Sequence, residues 1–255
     1  VTAQTLQLIP IPNLPLIQPG DDLARLILES IQSTGLTLAN ADILVIAQKI
    51  VSKAEACFVR LAEVTPSPQA LELAAVTGKP AELVEVILWD TAEVIRTRKD
   101  LLIVEHKLGF ISANAGLDHS NVAGEPDVVL RLPPEPDASA RALRQELDRL
   151  AGVRPPVLII DSHGRPWRLG TVGVTIGLSG LAPVQDLRGE PDLFGTPLLH
   201  TDVGFADQIA AAASLVMGQA AEGCPVVLVR GLPFTVDEQA QAADGLRSKA
   251  MNMFR

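Results

Sequence analysis

The feature that most constrains this chain is Val157-Leu-Ile-Ile160, which passes directly into Asp161-Ser162-His163-Gly164-Arg165. An uninterrupted apolar run, introduced by Pro155-Pro156 and closed by Gly164, reads as a buried strand that ends by delivering a carboxylate and a hydroxyl to a sheet edge. A second apolar run, Ile43 to Ala47, leaves in the same way into Gln48-Lys49.

Around these two runs the pattern predicts further elements. Leu6 to Ile11 alternates and ends in prolines, as an opening strand does. Leu23, Leu26, Ile27 and Ile31 recur at helical spacing behind Asp21 and Asp22, either of which can cap a helix. Helical periodicity returns over Ser67 to Val76, Pro80 to Val94, Asp137 to Leu150 and Phe205 to Met217. Strands are expected at Leu101 to Val104, Gly109 to Ser112, Thr171 to Ile176 and Val226 to Val229, and the glycines of Gly170 to Gly177 indicate close backbone approach. Strict strand-helix alternation is missing, so the fold class expected is α+β with a mixed, largely antiparallel sheet and packed helices. One domain over residues 1–255 is expected, with Leu132-Pro-Pro-Glu-Pro-Asp137 as the best place for a seam and a better fit to a helix lead-in.

Charge and composition narrow the function classes. The 255 residues carry a formal net charge of −9, which argues against a nucleic-acid partner, since binding a phosphate backbone requires a basic face. The uncharged stretch Leu169 to Gln185 contains four glycines and a proline and falls short of the roughly 20 apolar residues of a membrane span. The first residues lack the basic start and apolar stretch of a secretory signal, so the expected compartment is the cytoplasm. Cys57 and Cys224 form no metal-ligand spacing and read as two buried structural thiols.

Chemistry concentrates in a few places. Asn114-Ala-Gly-Leu-Asp118-His-Ser-Asn121 follows a predicted strand and is dense in oxygen ligands, although Asn, Asp, Ser and Gly also form turns for local reasons. Beside Asp161-Ser162 it offers the carboxylate and hydroxyl oxygens that a hard cation such as Mg²⁺ takes while keeping phosphate oxygens as further ligands. Lys49 and Lys53 share one helix face if the segment after Ala47 is helical, and Arg165 and Arg168 flank Trp167; as a set they suit an anion. His119 and His163 fall within the two candidate loops without an assigned role. Neither G-x-x-x-x-G-K-[ST] nor G-x-G-x-x-G occurs.

Taken in order, Leu14-Pro-Leu-Ile17 with Pro19-Gly-Asp-Asp22, Gln48-Lys-Ile-Val-Ser-Lys53-Ala-Glu55, Asn114 to Asn121, Leu132 to Asp137 and Asp161 to Arg168 resemble the coenzyme F420-0:L-glutamate (γ-glutamyl) ligase family. The resemblance runs from Leu6 to about Leu232. It implies that family's α+β fold, an intertwined homodimer, and GTP-dependent formation of an amide between L-glutamate and the phospholactyl carboxylate of a deazaflavin coenzyme precursor. Further glutamates would then be added by γ-linkage, each through an acyl phosphate. The cofactors implied are Mg²⁺ or Mn²⁺, with K⁺ as an additional candidate.

Carried over position by position, Asp118, Asp161, Ser162 and Gln219 would hold metal. The nucleotide would be surrounded by Leu14, Pro15, Leu16, Ile17, Gln48, Lys49, Lys53, Asn121 and the segment Met217, Gly218, Gln219, Ala220, Ala221, Glu222, Gly223 and Cys224. No general base is indicated. The chain departs from the family at Gln219, where some members place an acid, at Ala56, where glycine is common, and at Gln208, where glutamate often follows Asp207. An appended second enzyme domain is not expected after Arg255. The rival readings are a related ATP- or GTP-dependent carboxylate-amine ligase with another acceptor, and a non-catalytic binder of nucleotide or deazaflavin.

Overall fold

The computed structural model describes residues 5–252, so the part of the amino-terminal expectation that concerns residues 1–4, and the expectation at Arg255, lie outside the described residues. In chain order the elements are β1 (Gln7–Pro10), α1 (Leu23–Ser33), β2 (Ile43–Ala47), α2 (Gln48–Ala54), β3 (Phe58–Arg60), α3 (Pro68–Thr77), α4 (Ala81–Trp89), β4 (Thr91–Arg98), β5 (Leu101–His106), β6 (Ile111–Ala113) and β7 (Val128–Leu130). They continue with α5 (Pro136–Ala151), β8 (Val157–Arg165), β9 (Arg168–Ser179), β10 (Gln185–Asp186), β11 (Asp202–Val203), α6 (Phe205–Met217) and β12 (Val226–Arg230).

The principal sheet has the order β1-β12-β2-β8-β9, with β2 and β8 parallel and the other three pairings antiparallel. Alternation divides its side chains cleanly. Leu44, Ile46, Val157, Ile159, Val226 and Leu228 pack with α1 and α5, whereas Ile43, Val45, Leu158, Ile160, Val227 and Val229 pack with α6 on the other face. Burial on both faces is why β2, β8 and β12 are continuously apolar in sequence rather than alternating. Each fully buried Leu or Ile here contributes about 1.5–3 kcal/mol of transfer free energy.

The helices end where their chemistry requires. Asp22 caps α1 by accepting from the Arg25 amide at 3.0 Å, and Ser67 caps α3 ahead of Pro68. Gly78 and Gly152 close α3 and α5 in the left-handed conformation. The close approach expected of the β9 glycines is present. A Cβ on Gly173 would lie 2.5 Å from the Ala210 carbonyl oxygen of α6, and one on Gly177 would lie 2.5 Å from the Pro136 backbone of α5. A register shift in the β8–β9 pair, where Ile176 is skipped, turns these two glycines to opposite faces.

A three-stranded antiparallel sheet, β4-β5-β6, packs with α3 and α4 around Val84, Ile87, Leu102 and Val104. Here the chain corrects one expectation: the helix read over Pro80 to Val94 stops at Trp89, and Thr91–Arg98 is strand β4. From Thr91 onward β-branched Thr91, Val94, Ile95 and Thr97 favour a strand, and pairing with β5 supplies the backbone partners. A second correction concerns β8, which does not end at Asp161 but continues to Arg165 because β9 is long enough to pair with it throughout. Asp161 and Ser162 are therefore strand residues rather than loop residues. Leu132 to Asp137 leads into α5, with Pro136 in its first turn. Cys57 and Cys224 are unpaired and half-buried rather than buried; burial pushes the Cys57 thiol up to about 11.

Candidate functional site

A cavity of about 950 Å³ opens at the end of β2 and beside the middle of β8, near the upper limit of the roughly 300–1,000 Å³ usual for small-molecule sites. It is walled by α2, by the segment leading from β6 to Asn121, by the middle of β8 and by the segment after α6. Leu16, Ile17, Gln48, Lys49, Lys53, Asp118, Asn121, Asp161, Ser162 and every residue from Met217 to Cys224 line it. Leu14 and Pro15 are not among its lining: Leu14 packs against the α1 side of the core and Pro15 is exposed. Arg165 and Arg168 stand exposed at the tip of the β8–β9 hairpin, away from the cavity wall.

The strand β2 passes into α2 without an intervening loop, which places Gln48 and Ser52 on one helix face and Lys49 and Lys53 on the next. Gln48 is 2% exposed. Its amide nitrogen donates to Asp118 Oδ2, while its amide oxygen accepts from the Ser52 hydroxyl at 2.8 Å. An ionised carboxylate only accepts, so the amide must present its NH₂ to Asp118, and Ser52 fixes that orientation from behind. The Lys49 ammonium donates to Asp118 Oδ1. Paired backbone bonds of 2.9 Å between Asp118 and Leu130 hold the main chain at this point.

Burial raises the Asp118 carboxyl above its ordinary range; Lys49 opposes this and the nearby charge of Asp161 adds to it. Lys53 is shifted the other way, below the ordinary lysine range, first by burial and then by Lys49, with Asp118 partly offsetting both. Among the described residues Lys53 lines the cavity with no ion-pair partner and is only partly offset by the charge of Asp118.

Alternation along β8 sends Asp161 toward the α1 and α5 side and Ser162 toward α6. There the Ser162 hydroxyl donates to the Gln219 amide oxygen at 2.9 Å, joining two residues 57 apart in sequence. Asn121, with φ 57°, donates to the Ala220 carbonyl at 2.8 Å and ties the Asp118 segment to the segment after α6. Gly218 adopts φ 73°, and the Glu222 side chain folds over it to accept from the Ala220 amide at 2.7 Å. A Cβ on Gly218 would meet the Glu222 carboxyl carbon at 2.1 Å. Ala56 has φ 58°, the left-handed conformation that suits the glycine expected at that position.

The donor types are those a hard divalent cation takes: two carboxylates, Asp118 and Asp161, within electrostatic range of one another, and on the α6 side of β8 the Ser162 hydroxyl and Gln219 amide oxygen. Among the described residues no three His, Cys, Asp or Glu side chains converge, so part of the coordination shell would have to come from phosphate or water, as Mg²⁺ prefers. Sequence reasoning gave no role to Ser52 or to His163, although it placed His163 in a candidate loop. Ser52 was signalled only by its spacing of four from Gln48, and His163 by its spacing of two from Asp161 along a strand. His119 is exposed and engages the Pro126 carbonyl at 2.8 Å, outside the cavity.

No helix among the described residues is long and apolar enough to cross a membrane. Residues 12–231 match the model of the F420-0:Gamma-glutamyl ligase family. The chain is 44% identical over 251 residues to the coenzyme F420:L-glutamate ligase of Methanothermobacter thermautotrophicus, covering 98% of this chain and 99% of the relative. It is 45% identical to the enzyme of the same name from Methanopyrus kandleri, with 98% of each chain covered, and 43% identical to that from Archaeoglobus fulgidus, with 89% and 88% covered. With a family match over most of its length and relatives of this similarity aligned nearly end to end, the chain belongs to the F420-0:Gamma-glutamyl ligase family.

Proposed function

We propose that this chain uses GTP to join the amino group of L-glutamate to the phospholactyl carboxylate of coenzyme F420-0, and then adds further glutamates through γ-linkages. The observation that carries this reading is the convergence of two carboxylates, Asp118 and Asp161, with two lysines, Lys49 and Lys53, on one nucleotide-sized cavity in a member of this ligase family. The names of the relatives supply the glutamate and the coenzyme.

A carboxylate is a poor acyl donor, so the γ-phosphoryl group of GTP would pass to its oxygen, leaving GDP and an acyl phosphate. The glutamate nitrogen then attacks the acyl carbon, the C–O bond to phosphate breaks, and phosphate and a proton are released. In such transfers the protein supplies positioning and charge neutralisation. Lys53, the free positive charge of the site, meets nucleotide phosphate, and Lys49 moves between Asp118 and phosphate. Asp118 and Asp161, with Ser162 and Gln219 on the α6 side, would hold Mg²⁺ or Mn²⁺, which would supply neutralisation of phosphate charge. Asn121 and Glu222 fix the segment from Met217 to Cys224 as the nucleotide's outer wall.

The same reading includes a cytoplasmic homodimer. The support for association is the large apolar side chains left in solvent on two projections of the chain, Trp167 and Leu169 at the β8–β9 tip and Leu193 and Phe194 between β10 and β11. The test of the chemistry is isotopic. Precursor labelled with ¹⁸O in the phospholactyl carboxylate should transfer one label to the released phosphate, and Asp161→Asn should abolish both phosphate release and amide formation. Amide formation that leaves phosphate unlabelled would overturn the acyl-phosphate route.

A further inference from the structure

His163 is 8% exposed and lies two residues beyond Asp161 on β8, so both side chains leave the same face of the strand. Its Nε2 comes within 3.1 Å of Asp161 Oδ2, off the line of a full hydrogen bond and with no other partner. On its other side the imidazole meets the Phe110 ring, with centroids 4.9 Å apart and planes inclined by 50°. Phe110 in turn stacks on His106 at 4.8 Å, and His106 is oriented by the Leu108 amide, which donates to its Nδ1 at 3.0 Å.

The position of Phe110 gives this chain of rings its significance. Phe110 immediately precedes β6, and β6 runs through the turn Asn114–Gly116 into Asp118. The imidazole of His163 thus touches the carboxylate of Asp161 on one side and, on the other, the root of the strand that delivers Asp118. A buried nitrogen without a well-formed hydrogen bond is unfavourable, and an apolar ring would fill this space without that defect. What an apolar ring lacks is a nitrogen to offer the Asp161 carboxylate. Partners of this kind orient ligating carboxylates in metal sites generally.

We propose that His163 is a positioning residue that holds Asp161 at its working spacing from Asp118, and so sets the affinity of the site for a divalent cation. The proposal rests on the metal reading of the two acids given above. Two features separate His163 from an ordinary core residue: the approach of its Nε2 to Asp161, and its simultaneous contact with Phe110 at the start of the segment that leads through β6 to Asp118.

The test is Mn²⁺ binding to the substrate-free protein, read by electron paramagnetic resonance of the free ion, for the wild type, His163→Phe, His163→Leu and His163→Gln. Phe keeps the ring contact with Phe110 and deletes the nitrogen; Gln places an amide N–H near the position of Nε2. The expected result is roughly tenfold weaker Mn²⁺ binding for H163F and H163L, with recovery of most of the affinity in H163Q. Melting curves establish which variants are folded, and H163L stands in for H163F if the larger ring fails to pack. A folded apolar variant that binds Mn²⁺ as the wild type does overturns the positioning role alone. Failure of H163Q to regain affinity over the apolar variants overturns it equally. A wild type that binds no Mn²⁺ overturns the metal reading and this proposal with it.

Discussion

Replacing Ser52 by alanine removes one oxygen atom from a place with no exposure to solvent, and its consequences can be followed outward to the cavity. The hydroxyl donates at 2.8 Å to the Gln48 amide oxygen, and Gln48 is itself 2% exposed, so the amide oxygen would lose its partner where water does not replace it. An unsatisfied buried acceptor costs about 1–3 kcal/mol, whereas the void left by a single oxygen is small. At roughly 2–4 °C for each kcal/mol in a chain of this size, the melting temperature should fall by several degrees. The second consequence is local. Without Ser52 the Gln48 amide loses one of the two contacts that fix it, and its NH₂ is held toward Asp118 less firmly. That change weakens the hold on Asp118 and should reduce Mn²⁺ affinity by about tenfold, the scale usual for partners behind a metal ligand. Differential scanning calorimetry and Mn²⁺ titration read the two effects separately. An S52A protein that melts with the wild type and binds Mn²⁺ equally would refute the argument that Ser52 orients Gln48 toward Asp118.

Other substitutions test other parts of the site. Lys53 carries a positive charge that burial opposes, so its cost to stability is fully present below its lowered folded pKa and fades as pH rises through it. Lys53→Met should therefore melt at or above the wild type near neutral pH while losing nucleotide affinity by roughly 10–150-fold, as expected for a charged hydrogen bond. Calorimetry with GDP checks this, and in the wild type the same affinity should fall with rising pH before the ordinary lysine range is reached. Gly218→Ala forces an alanine into φ 73° and ψ −176°, a conformation essentially reserved for glycine, against the Glu222 carboxyl, and should weaken GDP binding by about tenfold while lowering the melting temperature by several degrees. Unchanged GDP affinity in G218A would remove the 217–224 segment from the nucleotide site. Ala56→Gly relieves φ 58° at an exposed position and should raise the melting temperature by about 2–4 °C.

The parts of the fold legible in sequence are those whose physics is local. The runs Ile43 to Ala47, Val157 to Ile160 and Val226 to Val229 stand out because a sheet covered on both faces demands unbroken apolar strands, and α6 was visible over its full length. Strands β3, β7, β10 and β11 were not, because two or three residues carry no period and exist only through partners far along the chain. Trp89 and Thr91 show the other failure: an apolar helix runs into a strand whose apolar residues continue the pattern. In the site, Lys49, Lys53, Asp118, Asn121, Asp161 and Ser162 were named from sequence and meet in one cavity. What sequence could not give is their pairing. Gln48 reads as a nucleotide contact until the fold brings it to Asp118, 70 residues away, and only then does Ser52 acquire a task. Leu14 and Pro15 show the converse, being neighbours of cavity residues whose side chains are directed elsewhere.

The most direct test of the proposed ligation is the mass of the product. The protein should be incubated with F420-0, L-glutamate, GTP and Mn²⁺, and the coenzyme resolved by mass spectrometry while GDP and phosphate are quantified. The account predicts a coenzyme heavier by one or more glutamyl units, with one GDP and one phosphate formed for each unit added. Recovery of unmodified F420-0 from folded protein with every reactant present would contradict it.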